Sequence, residues 1–178
     1  MMSPILRLAL SLALVVPVPA TLPDTTAASD KHKEVLTTIS DFRKKDPSIQ
    51  KFFDGSVGYA VFPTIGKGAI GIGGAHGTGE LIVGGKAIGK VSMTQVTIGL
   101  ALGGQSYSEI IFFEKQETLD GFKKNDFAFA AQASAVALAS GAAFNARYRD
   151  GVAVFTVAKG GLMGEASVGG QKFSFTAY

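Results

Sequence analysis

Glycine is distributed very unevenly along this chain of 178 residues. All 23 glycines lie at or after Gly55, and none precedes it. Glycine weakens helices and strands, but it lets a backbone bend sharply or approach another backbone closely. The break at Gly55 therefore predicts a helical region followed by a sheet that bends strongly.

The region after Gly55 alternates bulky apolar residues with glycine or alanine. The alternation is clearest in segments 70–73, 98–103 and 152–155. A period of two is typical of β-strands, because successive side chains point to opposite faces. The predicted fold class is α+β: an N-terminal helix plus a strongly curved, glycine-rich antiparallel sheet, either open or partly closed as a barrel.

Residues 30–45 show helical periodicity, with Val35, Ile39 and Phe42 on one side. Ser29 or the aspartate after it is the expected N-cap, and the Asp-Pro pair at 46 and 47 is expected to end the helix. The apolar stripe is narrow and the charges around it are mixed. We therefore expect this helix to pack on a core, and contact with a membrane is the less favoured alternative.

Three shorter segments complete the predicted elements. A helical turn is expected over 48–53, and a short helix over 118–124 with Leu119 and Phe122 facing inward. Residues 127–139 combine helix-forming alanines with a strand-like alternation. We interpret them as a strand.

The first 20 residues have the pattern of a signal peptide. Arg7 precedes an apolar run over 8–18, and small residues stand at positions 18 and 20. Cleavage is expected after Ala20, with Ala28 as the alternative. The run is shorter than the ~20 residues that span a bilayer, so no transmembrane span is expected after cleavage. This predicts a signal peptide at 1–20, a flexible leader at 21–29 and one domain at 30–178.

Composition restricts the function further. The chain has no cysteine, hence no disulfide and no residue for a lipid anchor. We expect a periplasmic or secreted protein. A formal net charge of +3 is too small to predict binding to nucleic acid.

No motif in the sequence predicts catalysis or cofactor binding. Residues 66–71 match the letters of a dinucleotide-binding loop, but the glycines that follow are a poor start for the helix that such a loop requires. His32 and His76 lack the spacing of metal ligands and are expected at the surface. Ser106 has no histidine nearby to activate it. We therefore predict no enzyme activity, no cofactor and no metal.

Acidic residues also cluster between the predicted strands and the short helix. They are interspersed with lysines, which is typical of a solvated charged face rather than of paired catalytic acids. The residues are Glu109, Glu114, Glu117, Asp120 and Asp126.

Several blocks of sequence resemble the SYLF-domain family, in its exported bacterial branch. The blocks are 62–68 (FPTIGKG), 92–94 (SMT), 103–113 (GGQSYSEIIFF), 119–122 (LDGF), 133–137 (ASAVA), 159–163 (KGGLM) and 169–173 (GGQKF). The resemblance implies an α+β fold, no enzymatic activity and binding of membrane phospholipids, with phosphoinositides as the ligands of eukaryotic members. Many exported relatives are lipoproteins, but this chain lacks the cysteine for that anchor.

We therefore expect an extracytoplasmic protein that binds anionic phospholipid or a membrane surface. Basic side chains are the candidates for contact with lipid phosphates. They are Lys33, Arg43, Lys44, Lys45 and Lys51 in the helical region, and Lys67, Lys86 and Lys90 at expected strand ends.

Two rival classes stay open. The first is an envelope structural or protein-interaction module without a lipid ligand. The second is an outer-membrane barrel, which requires that a terminal aromatic share its face with apolar residues. Counting back from Tyr178 in steps of two gives Thr176, Ser174 and Lys172, so the last strand does not fit that pattern.

Overall fold

The computed structural model describes residues 25–124, 128–129 and 135–178. Its elements in chain order are helix α1 (Thr25–Lys45), a 3-10 turn (Pro47–Ile49), helix α2 (Gln50–Gly55), strands β1 (Gly58–Val83) and β2 (Lys86–Phe113), helix α3 (Gln116–Lys123), strands β3 (Ala128–Phe129) and β4 (Val136–Ala137), helix α4 (Ala142–Asn145) and strand β5 (Val152–Ala177).

The strands form one sheet in the order β1-β2-β5-β3, and β4 pairs with β5 outside this order. All pairs are antiparallel except β4 with β5, which is parallel. The predicted α+β class, with an N-terminal helix and a curved sheet, is confirmed. The sheet was expected to be either open or partly closed as a barrel, and the described strands form an open sheet.

The three long strands bend back instead of running straight. Val61 and Gly79 both belong to β1, and a straight strand would hold residues this far apart in sequence roughly 60 Å from each other. Instead, a Cβ added at Gly79 would overlap the carbonyl oxygen of Val61. Only glycine permits this approach of backbone to backbone, which is the role that the glycine-rich composition predicted.

A tight turn joins the first two long strands. Val83 pairs with Lys86, and the two residues between them, Gly84 and Gly85, have φ of 56° and 76°. These are the left-handed conformations that a two-residue type I′ hairpin turn requires. Glycine adopts them without steric cost, so the pair fixes the register of β1 against β2.

Helix α1 is longer than the sequence predicted. It begins at Thr25, so residues 25–29 of the expected leader are helical and the expected N-cap, Ser29 or Asp30, is wrong. Its end at Lys45 agrees with the prediction. The carboxylate of Asp46 then accepts hydrogen bonds from the backbone N–H groups of Ser48 at 3.0 Å and Ala143 at 2.7 Å, which joins the end of α1 to α4.

Apolar side chains pack on both faces of the sheet. The helix core lies against α1, α2 and α4 and includes the predicted stripe: Val35, Ile39, Phe42, Phe52, Phe112 and Phe155. The sheet core lies on the other face with α3: Phe62, Leu81, Met93, Phe113, Leu119, Phe122 and Phe173. The helix is therefore docked on a core, as expected, and the inward positions of Leu119 and Phe122 are confirmed.

The ambiguous segment is resolved in part. Of residues 127–139, the pairs 128–129 and 136–137 are strands, as interpreted, and positions 127 and 130–134 lie outside the described residues. The predicted turn over 48–53 is present as the 3-10 turn and α2. In the part of the chain that is described, no helix combines the length and the apolar character needed to cross a membrane.

Candidate functional site

Four of the eight predicted lipid-binding residues lie where the last turn of α1 meets α2 and α4. Arg43, Lys44 and Lys45 form that last turn, and Lys51 lies in α2. The guanidinium of Arg43 stacks on the ring of Phe53, 4.3 Å from its centroid. The stacking fixes the cation beside an aromatic surface and leaves its charge accessible.

Lys51 and Arg147 meet at the C-terminal end of α4. Lys51 Nζ donates hydrogen bonds to the carbonyls of Phe144 at 2.8 Å and Ala146 at 3.4 Å. Arg147 Nη1 donates to the same two carbonyls at 3.3 Å and 2.9 Å. Cations are favourable there because the last carbonyls of a helix carry partial negative charge. No pattern in the sequence pointed to Arg147.

Phe144 lies among these cations with its ring in solvent. Its exposed fraction is 68%, and Lys51 Nζ lies 5.9 Å from the ring centroid. An exposed aromatic ring flanked by basic side chains is suited to an interface between water and apolar material. We call this surface the basic end and define it by Arg43, Lys44, Lys45, Lys51, Phe144 and Arg147.

The other four predicted residues lie elsewhere. Lys33 is exposed and pairs with Asp30 at 3.6 Å. Lys67 was expected at a strand end, but it lies inside β1 and only 7% of it is exposed, so the expected position at a strand end is wrong. Lys86 is the first residue of β2, and Lys90 lies a few residues further along the same strand.

His32 binds a buried carboxylate. Its Nδ1 lies 2.7 Å from Glu80 Oε2, and Tyr178 donates its hydroxyl to Glu80 Oε1 at 2.5 Å. Burial, followed by the hydrogen bond and charge of Glu80, raises the pKa of Tyr178. These contacts join α1 to β1 and to the last residue of the chain. His32 is thus only partly at the surface, whereas His76 is exposed as predicted.

A second polar surface covers the face of the sheet near Glu80. This surface consists of alternate residues of β1, β2 and β5. The sequence predicted that such residues share a face in β5 but not in β1 or β2. A cavity of about 390 Å³ lies between this face and α1. We call it the hydroxyl cavity, and its polar lining consists of Lys31, Thr78, Lys90, Ser92, Ser174 and Thr176.

One member of the predicted acidic cluster is not solvated. Glu109 is buried, and burial raises the pKa of its carboxyl to about 8, although a hydrogen bond with Gln171 opposes the shift. The prediction failed because Glu109 shares a strand face with Ile111 and Phe113 of the sheet core. Glu114 and Glu117 are exposed, and position 126 lies outside the described residues.

The glycine motif that resembled a dinucleotide-binding loop lies entirely within β1, so no helix N-terminus follows it. The residues of the described ranges include no group of three or more histidine and acidic side chains that could hold a metal ion. Chemically, the candidate surfaces offer cations, hydroxyl donors and one exposed aromatic ring. These groups bind anions and interfaces.

The fold and its surfaces define the class: an α+β protein with a long, bent sheet and two separate cationic surfaces. No family model matches the chain. The chain is similar to Beta cell expansion factor A of Aeromonas veronii, with 29% identity over 140 residues. The match covers 77% of this chain and 52% of that protein, so the chain spans about half the length of the curated relative.

Proposed function

We propose that this protein binds anionic phospholipids at a membrane surface through the basic end and catalyses no reaction. The observation that carries the proposal is the exposed Phe144 ring with Lys51 beside it. It lies on α4, which Asp46 joins to the end of α1 next to that helix's basic last turn. Each lysine or arginine near an anionic membrane contributes about 1 kcal/mol of attraction. The ring adds apolar contact once the charges have brought the surface close.

The family resemblance supports the same function. The sequence blocks that resemble SYLF domains imply phospholipid binding, with phosphoinositides as the ligands of eukaryotic members. The pattern of a signal peptide supports a periplasmic or secreted location. The name of the Aeromonas protein states that it expands beta cells, and it names no lipid. The lipid ligand therefore rests on the basic end and on the SYLF resemblance.

The experiment is co-sedimentation with vesicles of phosphatidylcholine, alone or with phosphatidylglycerol. We expect binding to the anionic vesicles only, weakened by added salt because the Debye length falls from about 10 Å at 0.1 M to about 3 Å at 1 M. Changing Lys44→Glu with Lys45→Glu should lower the affinity about tenfold or more.

The matched control is another adjacent pair of lysines, Lys123→Glu with Lys124→Glu. This pair ends α3, which packs on the opposite face of the sheet from α1. The control should leave vesicle binding within about twofold of the parent protein, because charges further from the membrane than about one Debye length are largely screened. Equal losses in both double variants would contradict a role for the basic end. Absence of binding to any vesicle would favour the protein-interaction module instead.

A further inference from the structure

The hydroxyl cavity is assembled by the register of three strands. Thr78 of β1 lies opposite Ser92 of β2, and Ser92 lies opposite Ser174 of β5. One step along the same face, Lys90 lies opposite Thr176. The cavity thus has four hydroxyl groups on a hydrogen-bonded ladder, and α1 covers them with Lys31. Donors held on paired strands keep their spacing without the entropy cost of ordering a loop.

The hydroxyl groups have hydrogen-bonding capacity to spare. Ser92 Oγ and Ser174 Oγ lie 2.6 Å apart, so one hydroxyl donates to the other. The accepting hydroxyl keeps its own proton, because each hydroxyl has one donor and two acceptor lone pairs. That proton is available to an oxygen atom of a ligand in the cavity.

Two lysines, Lys31 and Lys90, line the cavity. Lys90 is exposed, and it forms no ion pair with any residue that the structure describes. Its neighbour across the strand pair is Glu80, whose two carboxylate oxygens already bind His32 and Tyr178. Lys31 contributes a second cation, which it shares with Glu34 at 2.6 Å. Lys90 is therefore a cation of the cavity that pairs with no carboxylate among the described residues.

The size and the donors of the cavity select among anions. Its volume of about 390 Å³ falls within the range of small-molecule sites. A carboxylate has two oxygens on one side of one carbon, whereas a phosphate group presents oxygens in several directions. Hydroxyls and Lys90 on the sheet, with Lys31 on the helix that covers it, fit the second arrangement.

We propose that the hydroxyl cavity is a binding site for a phosphate group, held by Lys90, Lys31 and the hydroxyls of Ser92 and Ser174. The group belongs either to a phospholipid headgroup or to a soluble phosphate ester. Only the first source rests on the proposed function. The site is separate from the basic end, because Lys31 and Lys44 lie about 20 Å apart along α1.

The first arm of the test uses soluble probes and the full chain. Inorganic phosphate and glycerol 3-phosphate are titrated at constant ionic strength against chloride, and amide resonances are followed by NMR. We expect saturable shifts centred on residues 78, 90–92 and 174–176. Lys90→Gln, and separately Ser92→Ala with Ser174→Ala, should weaken binding about tenfold.

The matched control is Lys172→Gln. Lys172 lies on the same face of β5, two residues before Ser174, but it does not line the cavity. This variant should bind phosphate within twofold of the parent, and so should Lys44→Glu with Lys45→Glu. If Lys172→Gln weakens binding as much as Lys90→Gln, or if no probe gives saturable shifts in the folded parent, the site is refuted.

The second arm identifies the source of the phosphate. Vesicles of phosphatidylcholine with phosphatidic acid are sedimented with the protein in the presence and absence of glycerol 3-phosphate. Competition that disappears in Lys90→Gln assigns the site to a lipid headgroup. Saturable binding of glycerol 3-phosphate without any effect on sedimentation assigns it to a soluble ester. If the protein binds the soluble probes but no vesicles, the proposed function is contradicted and the phosphate site is not.

Discussion

The basic end and the hydroxyl cavity both carry cations, but they present them differently. At the basic end, Lys51 and Arg147 bind backbone carbonyls of one short helix, and the other cations extend from the last turn of α1. In the hydroxyl cavity, Lys90 lies on a paired strand beside hydroxyls of fixed spacing. Long side chains on a helical surface suit a flat, charged partner, whereas fixed donors around a cavity suit one chemical group.

This difference shows that net charge is a poor guide to sites in such a chain. The formal charge of +3 predicts nothing about where anions bind. The placement of a few carboxylates decides it, because Glu80 is held by His32 and Tyr178 and leaves Lys90 without an ion pair among the described residues. Variants that affect only one of the two surfaces test this view.

The largest effect is expected from Gly79→Ala. Gly79 lines the hydroxyl cavity, and a Cβ there would overlap the carbonyl oxygen of Val61 across the bend of β1. Overlap with backbone cannot be relieved by a rotamer change, so we expect a loss of about 4 kcal/mol in the free energy of unfolding. Urea denaturation followed by circular dichroism measures it.

Gly66→Ala provides the control for this prediction. A Cβ at Gly66 meets no atom within 4 Å, although Gly66 lies in the same strand. The control should change stability by less than about 1 kcal/mol. Similar stabilities of the two variants would contradict the bend of β1 under the cavity.

A smaller effect is expected from the pH, through Glu109 in the sheet core. Its pKa of about 8 lies above the ordinary value of 4.5, so the folded state binds a proton that the unfolded state has lost. The stabilisation that this carboxyl contributes is then complete below pH 4.5 and is lost as the pH rises from 4.5 through 8. We expect a loss of roughly 3 kcal/mol by pH 9, since relaxation around a buried charge reduces the full effect.

Glu109→Gln removes this titration, so its stability should change less between pH 5 and 9, and at pH 9 it should exceed that of the parent protein. Thermal unfolding at each pH, followed separately by helical and sheet signals, measures the effect. Coincident signals would mean that the two surfaces belong to one cooperative unit. Parallel pH profiles of parent and variant would contradict the buried position of Glu109.

The smallest effect is expected from Phe144→Ala. The ring is largely in solvent, so its removal should change the free energy of unfolding by less than about 0.5 kcal/mol. Affinity for phosphatidylglycerol vesicles should fall about threefold to tenfold, from the loss of roughly 1 kcal/mol of apolar contact. Phosphate binding in the hydroxyl cavity should be unchanged. If the variant binds vesicles like the parent, the Phe144 ring does not contribute and the basic end binds through its charges alone.

Local patterns in the sequence predicted much of the fold. The stripe of Val35, Ile39 and Phe42 gave the helix and its buried side, and Asp46 gave its end. The start at Thr25 was not predicted. Serine is a preferred N-cap residue, so Ser29 indicated a later start, but in the structure it lies inside the helix.

The candidate sites were predicted less completely. The sequence named Arg43, Lys44, Lys45 and Lys51, together with Lys33, as basic candidates of the helical region. Phe144 and Arg147 are distant in sequence and gave no signal. For the hydroxyl cavity, the alternation of polar residues at 172, 174 and 176 was visible. Its partners on β1 and β2 depend on register, which no local pattern specifies.

By itself, the sequence determined the class of fold: the glycine break at Gly55, the period of two after it and the amphipathic helix before it are all local properties. Only the tertiary structure decided which polar residues are buried and which meet. Glu109 and Lys67 lie in strands whose residues alternate like those of many exposed strands, but both are buried. Burial depends on what packs over a strand face, and that partner comes from elsewhere in the chain.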